Sequence, residues 1–330
     1  MDLEKSVPIL NNAVLKTLEK EEKKPFIVSV IGQTGVGKSS LINALFSVNL
    51  ATDPVQPCTK EIEKIIIKGN SNYELWFYDL PGIGESEISD KKYIDSYRDQ
   101  LLQSDVVIWS IHSDNRSTTF DSMNLKRILS SLSDDEERSA VISKLIFVLT
   151  KVDLLTPPPW IFVKRRDIGK FIPNKETRNI LDYKAKYYQS TFLKPHAEIM
   201  TSKTYLDHEF RVDESQFSCD SNYVYCKGIL SEVRLSELQK KYPDYTKVFE
   251  RLYVSQQILP CSSLFRFGLY EILLAVINKL GKNAIFRFRN FLDDTKLDEV
   301  SLVKARNYCN ILIFDQEQEK TIFDLSKQEL

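Results

Sequence analysis

One segment constrains this chain more than any other. Gly32-Gln-Thr-Gly-Val-Gly37-Lys38-Ser39 follows the apolar run Phe26–Ile31 and leads into a helical pattern over Ser39–Phe46. A GxxxxGK[ST] turn between strand and helix wraps backbone N–H groups around phosphate oxygens, at the positive end of the helix dipole. Gly32, Gly35 and Gly37 permit the close wrap around Val36. Lys38 brings a positive charge to the outer phosphates. Ser39, with Ser40 beside it in the first helical turn, offers a hydroxyl to a divalent cation. The chain holds only ten glycines and three stand here, which weighs against a chance glycine-rich turn.

The pattern around this loop is that of a wound sheet. Glu61–Lys68 and Tyr73–Asp79 read as strands joined by a turn at Gly69–Asn72, and Asp105–Ile111 and Lys144–Thr150 as buried strands. Tyr93–Ser104 and Asp121–Leu132 carry helical periodicity. The order β-α-β-β-α-β-α-β predicts an α/β doubly wound, mostly parallel sheet with one antiparallel edge strand. Residues 1–24 read as an N-terminal extension, with Leu10, Val14 and Leu18 at helical spacing or, alternatively, a frayed tail. Residues 25–280 read as the main domain, and 281–330 as a C-terminal extension with helix near 296–310.

Past Asp153 the pattern changes. Thr156-Pro-Pro-Pro-Trp160 reads as a rigid loop, Lys175–Met200 as a long helix, Tyr223–Ile229 as strand-like, and Phe265–Leu280 as a helix. From Asp153 to Ser262 is 262 − 153 = 109 residues. One crossover helix and a strand need on the order of 30, so about 55 are extra, and 201–257 is where an insertion is expected.

Composition excludes other classes. Lys+Arg minus Asp+Glu is 45 − 46 = −1, so there is no global basic field for nucleic acid or acidic membrane. No run approaches 18 apolar residues, and the first residues lack a signal-peptide core. Five cysteines without a CxxC argue for a reducing compartment, the cytoplasm, and against a disulfide or zinc framework.

Further motifs complete the site. Asp79-Leu-Pro-Gly82 ends the third strand, 40 residues after Ser39. Asp79 there can hold Mg²⁺, and Gly82 lets its own N–H approach a terminal phosphate; in isolation such a sequence is only a turn. Between first helix and second strand, Asn49–Lys60 is loop-like, and Thr59 is the candidate to close on Mg²⁺ and the terminal phosphate, with Thr52 its rival. Thr150-Lys151-Val-Asp153 follows an apolar strand. A carboxylate at 153 accepts two hydrogen bonds from guanine N1–H and N2–H₂, a donor pair that adenine lacks. The Lys151 stem can lie over the base, and Thr150 can steady the loop. Finally, backbone N–H groups at Ser262 and Ser263, in Pro260-Cys-Ser-Ser263, can reach guanine O6.

GQTGVGKS, Thr59, DLPG, TKVD and CSS, in that order, resemble the five G motifs of the translation-factor-like (TRAFAC) P-loop GTPases. GKSSLINALF, DLPGIGES and DVVIWSI are most similar to Era-like members, nearest the small bacterial ones labelled ribosome-binding, with a further likeness to immunity-related GTPases. The resemblance covers about residues 25–155 and 258–280. It implies a G domain that binds GTP and GDP with Mg²⁺ held by Ser39, Thr59 and Asp79, slow hydrolysis served by Lys38, Thr59 and Gly82, and nucleotide-controlled binding of a partner.

This sequence departs from the pattern at one catalytic position. Ras-type GTPases place Gln after the DxxG glycine to orient the attacking water, and here that residue is Ile83. Catalysis then falls to another group, a potassium ion or a partner. Gly35 stands where potassium-activated relatives carry Asn, and Glu85 lies nearby. The expected partners are a second copy across the switch face or a protein or ribonucleoprotein effector. A self-assembling membrane GTPase of the dynamin- or immunity-related kind, and a non-catalytic GTP-binding scaffold, are the competing readings. His112, His196 and His208 share no metal-ligand spacing with the cysteines, Cys219 and Cys226 included. Arg116 is read as surface-paired rather than as an arginine finger, and Ala284–Leu292 as packing on the main domain rather than on membrane or RNA.

Overall fold

The computed structural model describes residues 24–48, 50–52, 61–68, 74–82, 87–114, 118–155, 160–165, 167–281, 284, 297–308, 312–315 and 320–324. Residues 1–23 of the N-terminal extension, Thr59, Ile83, Glu85 and Arg116 lie outside them.

Strands β1 (Phe26–Gly32), β2 (Glu63–Lys68), β3 (Glu74–Asp79), β4 (Val106–His112), β5 (Leu145–Thr150) and β11 (Ile258–Pro260) form one six-stranded sheet in the order β11-β5-β4-β1-β3-β2. Every neighbour pair is parallel except β2 with β3. This is a mixed, mostly parallel sheet with one antiparallel edge strand. Its central strands are near-continuous apolar runs because helices cover both faces. Val28 and Val30 turn to one core with α1 (Lys38–Phe46) and α8 (Leu269–Leu280). Ile31, Trp109 and Phe147 turn to the other with α2 (Glu87–Gln103), α3 (Thr118–Ser130), α4 (Asp135–Lys144) and α5 (Lys175–Phe192). Trp109 is fully buried, and a ring of that size contributes about 3 kcal/mol or more by burial. Inside the sheet layer, Ser29 Oγ lies 2.7 Å from Ser104 Oγ and accepts from Gln100 Nε2.

The chain between β5 and β11 departs from expectation in two places. The segment after the proline run folds into a hairpin, β6 (Trp160–Arg165) and β7 (Ile168–Pro173), where a rigid loop was expected at its start. Helix α5 stops at Phe192 rather than Met200, because Pro195 cannot continue an α-helix. The insertion is a folded unit with its own core. Strands β8 (Thr201–Tyr205), β9 (Phe217–Cys219) and β10 (Tyr223–Lys227) pack with α6 (Glu232–Lys241) and α7 (Thr246–Val254) around Val224, Leu238, Phe249 and Leu252. The extra residues thus lie in the hairpin as well as in 201–257.

The C-terminal part is not simply helical. Two-residue β12 (Val300–Ser301) pairs antiparallel with β7, α9 (Leu302–Tyr308) follows, and β13 (Leu312–Asp315) pairs with β14 (Lys320–Asp324). Of Ala284–Leu292 only Ala284 is described, buried in the core beside α8.

Candidate nucleotide site

The phosphate loop leaves β1 at the carboxyl edge of the sheet. Gly32 ends the strand at φ 152°, flush against β4, and a Cβ there would fall inside the carbonyl of Ser110. Only glycine lets the chain turn so close to a neighbouring strand. Gly37, at φ 96°, is the N-cap of α1, so the first amides of that helix open into the loop. Lys38 is 6% exposed and turns back over the loop, its Nζ donating to the carbonyls of Gly32 at 3.3 Å and Gln33 at 3.2 Å. The ammonium therefore sits inside the concavity, where a phosphate would receive it.

Parallel pairing of β3 with β1 sets Val30 opposite Asp79. Asp79 is fully buried, and its Oδ2 accepts from the Ser39 hydroxyl at 2.5 Å. A carboxylate and a hydroxyl oxygen so meet at one point beside the loop, the hard oxygen donors that Mg²⁺ takes. The residues present fit the ion. Gly82 is buried and presses on Thr34 of the phosphate loop, where a Cβ would overlap the threonine. Tyr97 Oη steadies this turn through the Pro81 carbonyl at 2.8 Å.

The residues expected to read the base come from the end of β5. Thr150 is 2% exposed, and its Oγ1 donates to the Val36 carbonyl at 2.6 Å and lies 3.1 Å from that of Ile111. Lys151, at φ 55°, sends its Nζ to the Gly35 carbonyl at 2.7 Å. Both residues thus bind the phosphate loop. Asp153 stands half-buried on a short 3-10 turn, Val152–Leu154. His112 pairs with Thr150 across the strands and accepts from the Asp114 amide through Nδ1. Burial, helped by the charge of Lys151, holds its imidazole below the usual histidine range.

In the loop after β11 the Ser262 N–H donates to the Phe267 carbonyl at 3.0 Å, within its own turn. Ser262 Oγ accepts from the Phe265 amide. Cys261 joins this strand end to the previous motif: its N–H donates to Leu149 O at 2.7 Å, and its carbonyl accepts from Val152 at 3.2 Å.

The carboxyl ends of β1, β3, β5 and β11 therefore gather Gly32, Gly35, Val36, Gly37, Lys38, Ser39, Ser40, Asp79, Gly82, Thr150, Lys151, Asp153, Ser262 and Ser263 along one edge. Thr52, the rival to Thr59, is exposed. Three supporting residues went unnoticed in the sequence: Thr34 under Gly82, Ser113 donating to Lys151 O at 2.8 Å, and Lys184 donating to Ser113 O at 2.6 Å. Thr34 stands at one of the unspecified positions of the phosphate-loop motif, whereas Ser113 and Lys184 stand in none and only the fold brings them in. A cleft of about 910 Å³ opens at the opposite end, between the sheet floor and the insertion, lined by Asp105, Asp207 and Asp220 among others. Those carboxylates are bonded already, to Ile27 N, Arg251, and Tyr225 Oη respectively. No helix among the described residues is long and apolar enough to cross a membrane.

Residues 27–151 match a family model described as "50S ribosome-binding GTPase". The uncharacterized protein YkfA of Escherichia coli is 33% identical over 132 residues, 40% of this chain and 43% of that one. Interferon-gamma-inducible GTPase 10 of Mus musculus is 33% identical over 98 residues, 28% of this chain and 22% of that one. GTPase Era of Clostridium botulinum is 31% identical over 94 residues, 28% and 32%. The chain spans less than half the length of these curated relatives. The likeness to Era and to an immunity-related GTPase stands on this shared segment.

Proposed function

We propose, from the premise that residues 27–151 form a P-loop GTPase G domain, that this chain binds GTP with Mg²⁺, hydrolyses it slowly and uses its nucleotide state to control a partner. The observation that carries the reading is the junction of phosphate loop and base-reading loop: Thr150 and Lys151 bond the carbonyls of Val36 and Gly35, with Asp153 on the adjoining turn. A site so joined suits a ligand with phosphates at one end and guanine at the other.

The residues divide the work. Amides of the loop and of the first turn of α1 bind the phosphates, and Lys38 places its charge on the outer ones. Ser39 and Asp79, with Thr59 as the third expected ligand, would hold Mg²⁺, which when bound neutralises charge on the phosphate oxygens. Gly82 brings its amide toward the terminal phosphate, so the segment after it responds to that group's presence. Asp153 accepts from guanine N1–H and N2–H₂, and the Ser263 amide is left to O6. Ile83 cannot orient a water by hydrogen bonding, which supports a slow intrinsic rate and help from a second copy or an effector. The family name points to a ribonucleoprotein as one such effector. Phosphate release per monomer that rises with protein concentration would favour the second copy, and its absence a separate effector.

Titration calorimetry with Mg²⁺ tests the site. Asp153→Asn is expected to weaken GTP binding by about 100-fold or more and to favour xanthosine triphosphate, whose O2 accepts where guanine donates. Lys38→Ala is expected to lose most affinity for either nucleotide. Unchanged GTP affinity in both variants would refute the assignment.

A further inference from the structure

The loop that follows β11 is braced from outside by elements foreign to the nucleotide edge. It closes on itself through two hydrogen bonds of 3.0 Å between Ser262 and Phe267, with Arg266, just before the closing residue, at φ 52°. Its two phenylalanines point away from the site, into the β6–β7 hairpin. Trp160, the first residue of β6, meets Phe265 edge-on at 5.4 Å between centroids and Phe267 at 5.0 Å. Phe171 of β7 stacks on Phe265 at 4.2 Å and 16°, and Phe162 leans on Phe171 at 4.9 Å. On the far side, Arg266 Nε donates to the Leu297 carbonyl at 2.6 Å, and Val300 of β12 enters the same small core while pairing with β7.

The hairpin is two-faced. Trp160, Phe162 and Phe171 turn inward, whereas Ile161, Val163 and Ile172 on the alternate positions are 37–49% exposed. The indole Nε1 of Trp160 is buried without a hydrogen-bond partner among the described residues. Burying that donor costs free energy, and the ring contacts to Phe265 and Phe267 are what the position gains in return. The hairpin also starts only seven residues after Asp153 (160 − 153). One short piece of chain therefore runs from the residue that reads one edge of the base to the brace of the loop that reads the other.

We propose that Trp160, with Phe171, is a positioning residue for the guanine O6 contact: the hairpin fixes Phe265 and Phe267, and through them holds the Ser263 amide where O6 must meet it. The inference rests on the guanine reading given above. It adds that discrimination at O6 is set by the hairpin and by β12, outside the five motifs.

The test compares GTP with 6-thioguanosine triphosphate. The analogue keeps N1–H and N2–H₂ for Asp153 but replaces O6 by a weakly accepting sulfur. Dissociation rates of both are measured by stopped flow for wild type, Trp160→Ala and Trp160→Phe, alongside thermal melts. Wild type is expected to prefer GTP. In Trp160→Ala, GTP dissociation accelerates about tenfold, the scale of losing two ring contacts to the loop, while the analogue is released little faster, so the preference collapses. Trp160→Phe, which keeps a ring, restores much of it. Should the alanine variant not fold, Trp160→Leu, which fills the space without a ring, takes its place. A folded variant that keeps the wild-type preference, or loses both nucleotides equally, overturns the brace. A wild-type protein that prefers no guanine nucleotide over adenine ones overturns the site reading instead.

Discussion

Thr150→Val removes one hydroxyl while nearly conserving shape, and the structure says what that removal costs. The Oγ1 proton goes to the Val36 carbonyl at 2.6 Å, with the Ile111 carbonyl 3.1 Å away, at a position 2% exposed to water. Valine leaves the Val36 carbonyl without this donor in a place that solvent does not reach, a penalty of about 1–3 kcal/mol. The methyl that replaces the hydroxyl returns about 0.8 kcal/mol by burial. A net loss of about 1–2 kcal/mol follows. At about 2–4 °C per kcal/mol for domains of this size or somewhat smaller, the melting temperature falls by about 2–8 °C. Because Val36 sits in the phosphate loop, the same change should weaken nucleotide binding severalfold, and Thr150→Ser should recover both properties. Calorimetric melts and titrations of the three proteins decide. A valine variant that melts with wild type and binds nucleotide as tightly refutes the claim that this hydroxyl ties the two loops together.

Two further outcomes come from other parts of the structure. Gly82→Ala must force the turn off Thr34, so phosphate release at saturating GTP should drop at least about tenfold with an unchanged circular dichroism spectrum; full activity would show that this contact has no role in turnover. Lys279 is 2% exposed with its Nζ on the Ser143 carbonyl, and burial, reinforced by the charge of Lys203, pushes its ammonium down to about 7 from the ordinary lysine range. Between pH 7 and about 10.4 the unfolded chain then binds the proton that the folded one has released, so this group makes stability rise with pH across that window and leaves it level below. Lys279→Met should therefore be more stable than wild type at pH 7, by a margin that shrinks toward pH 10, as urea midpoints will show; a margin independent of pH would mean the amine stays charged when folded.

The nucleotide edge was legible because its chemistry is carried by short contiguous runs. GQTGVGKS, DLPG and TKVD each sit at a strand end, and the strand runs before them are apolar enough to recognise. The elements that went unread have local signals that a search for apolar periodicity passes over. Helix α4 buries only Val141 and Ile142 and so shows no stripe. Its mark is at the start, where Asp134 caps the Glu137 amide and Glu137 reaches back to Ser133 N. The β6 strand was hidden by the prolines before it, although Trp160-Ile-Phe-Val163 alternates inward and outward as a hairpin strand must. Strand β12 is two residues long and exists by pairing with β7, which no local pattern announces. The commitment of the Ser262 amide to Phe267 is likewise a matter of loop closure rather than of residue type.

The bonds from Thr150 and Lys151 to the phosphate loop have a kinetic consequence. They are made by the protein's own groups, so on the proposed reading the two ends of the site are already joined before a nucleotide arrives. An arriving nucleotide has few backbone torsions left to freeze at that joint, which favours rapid capture. Release, by contrast, must on that reading loosen both mouths of the site together.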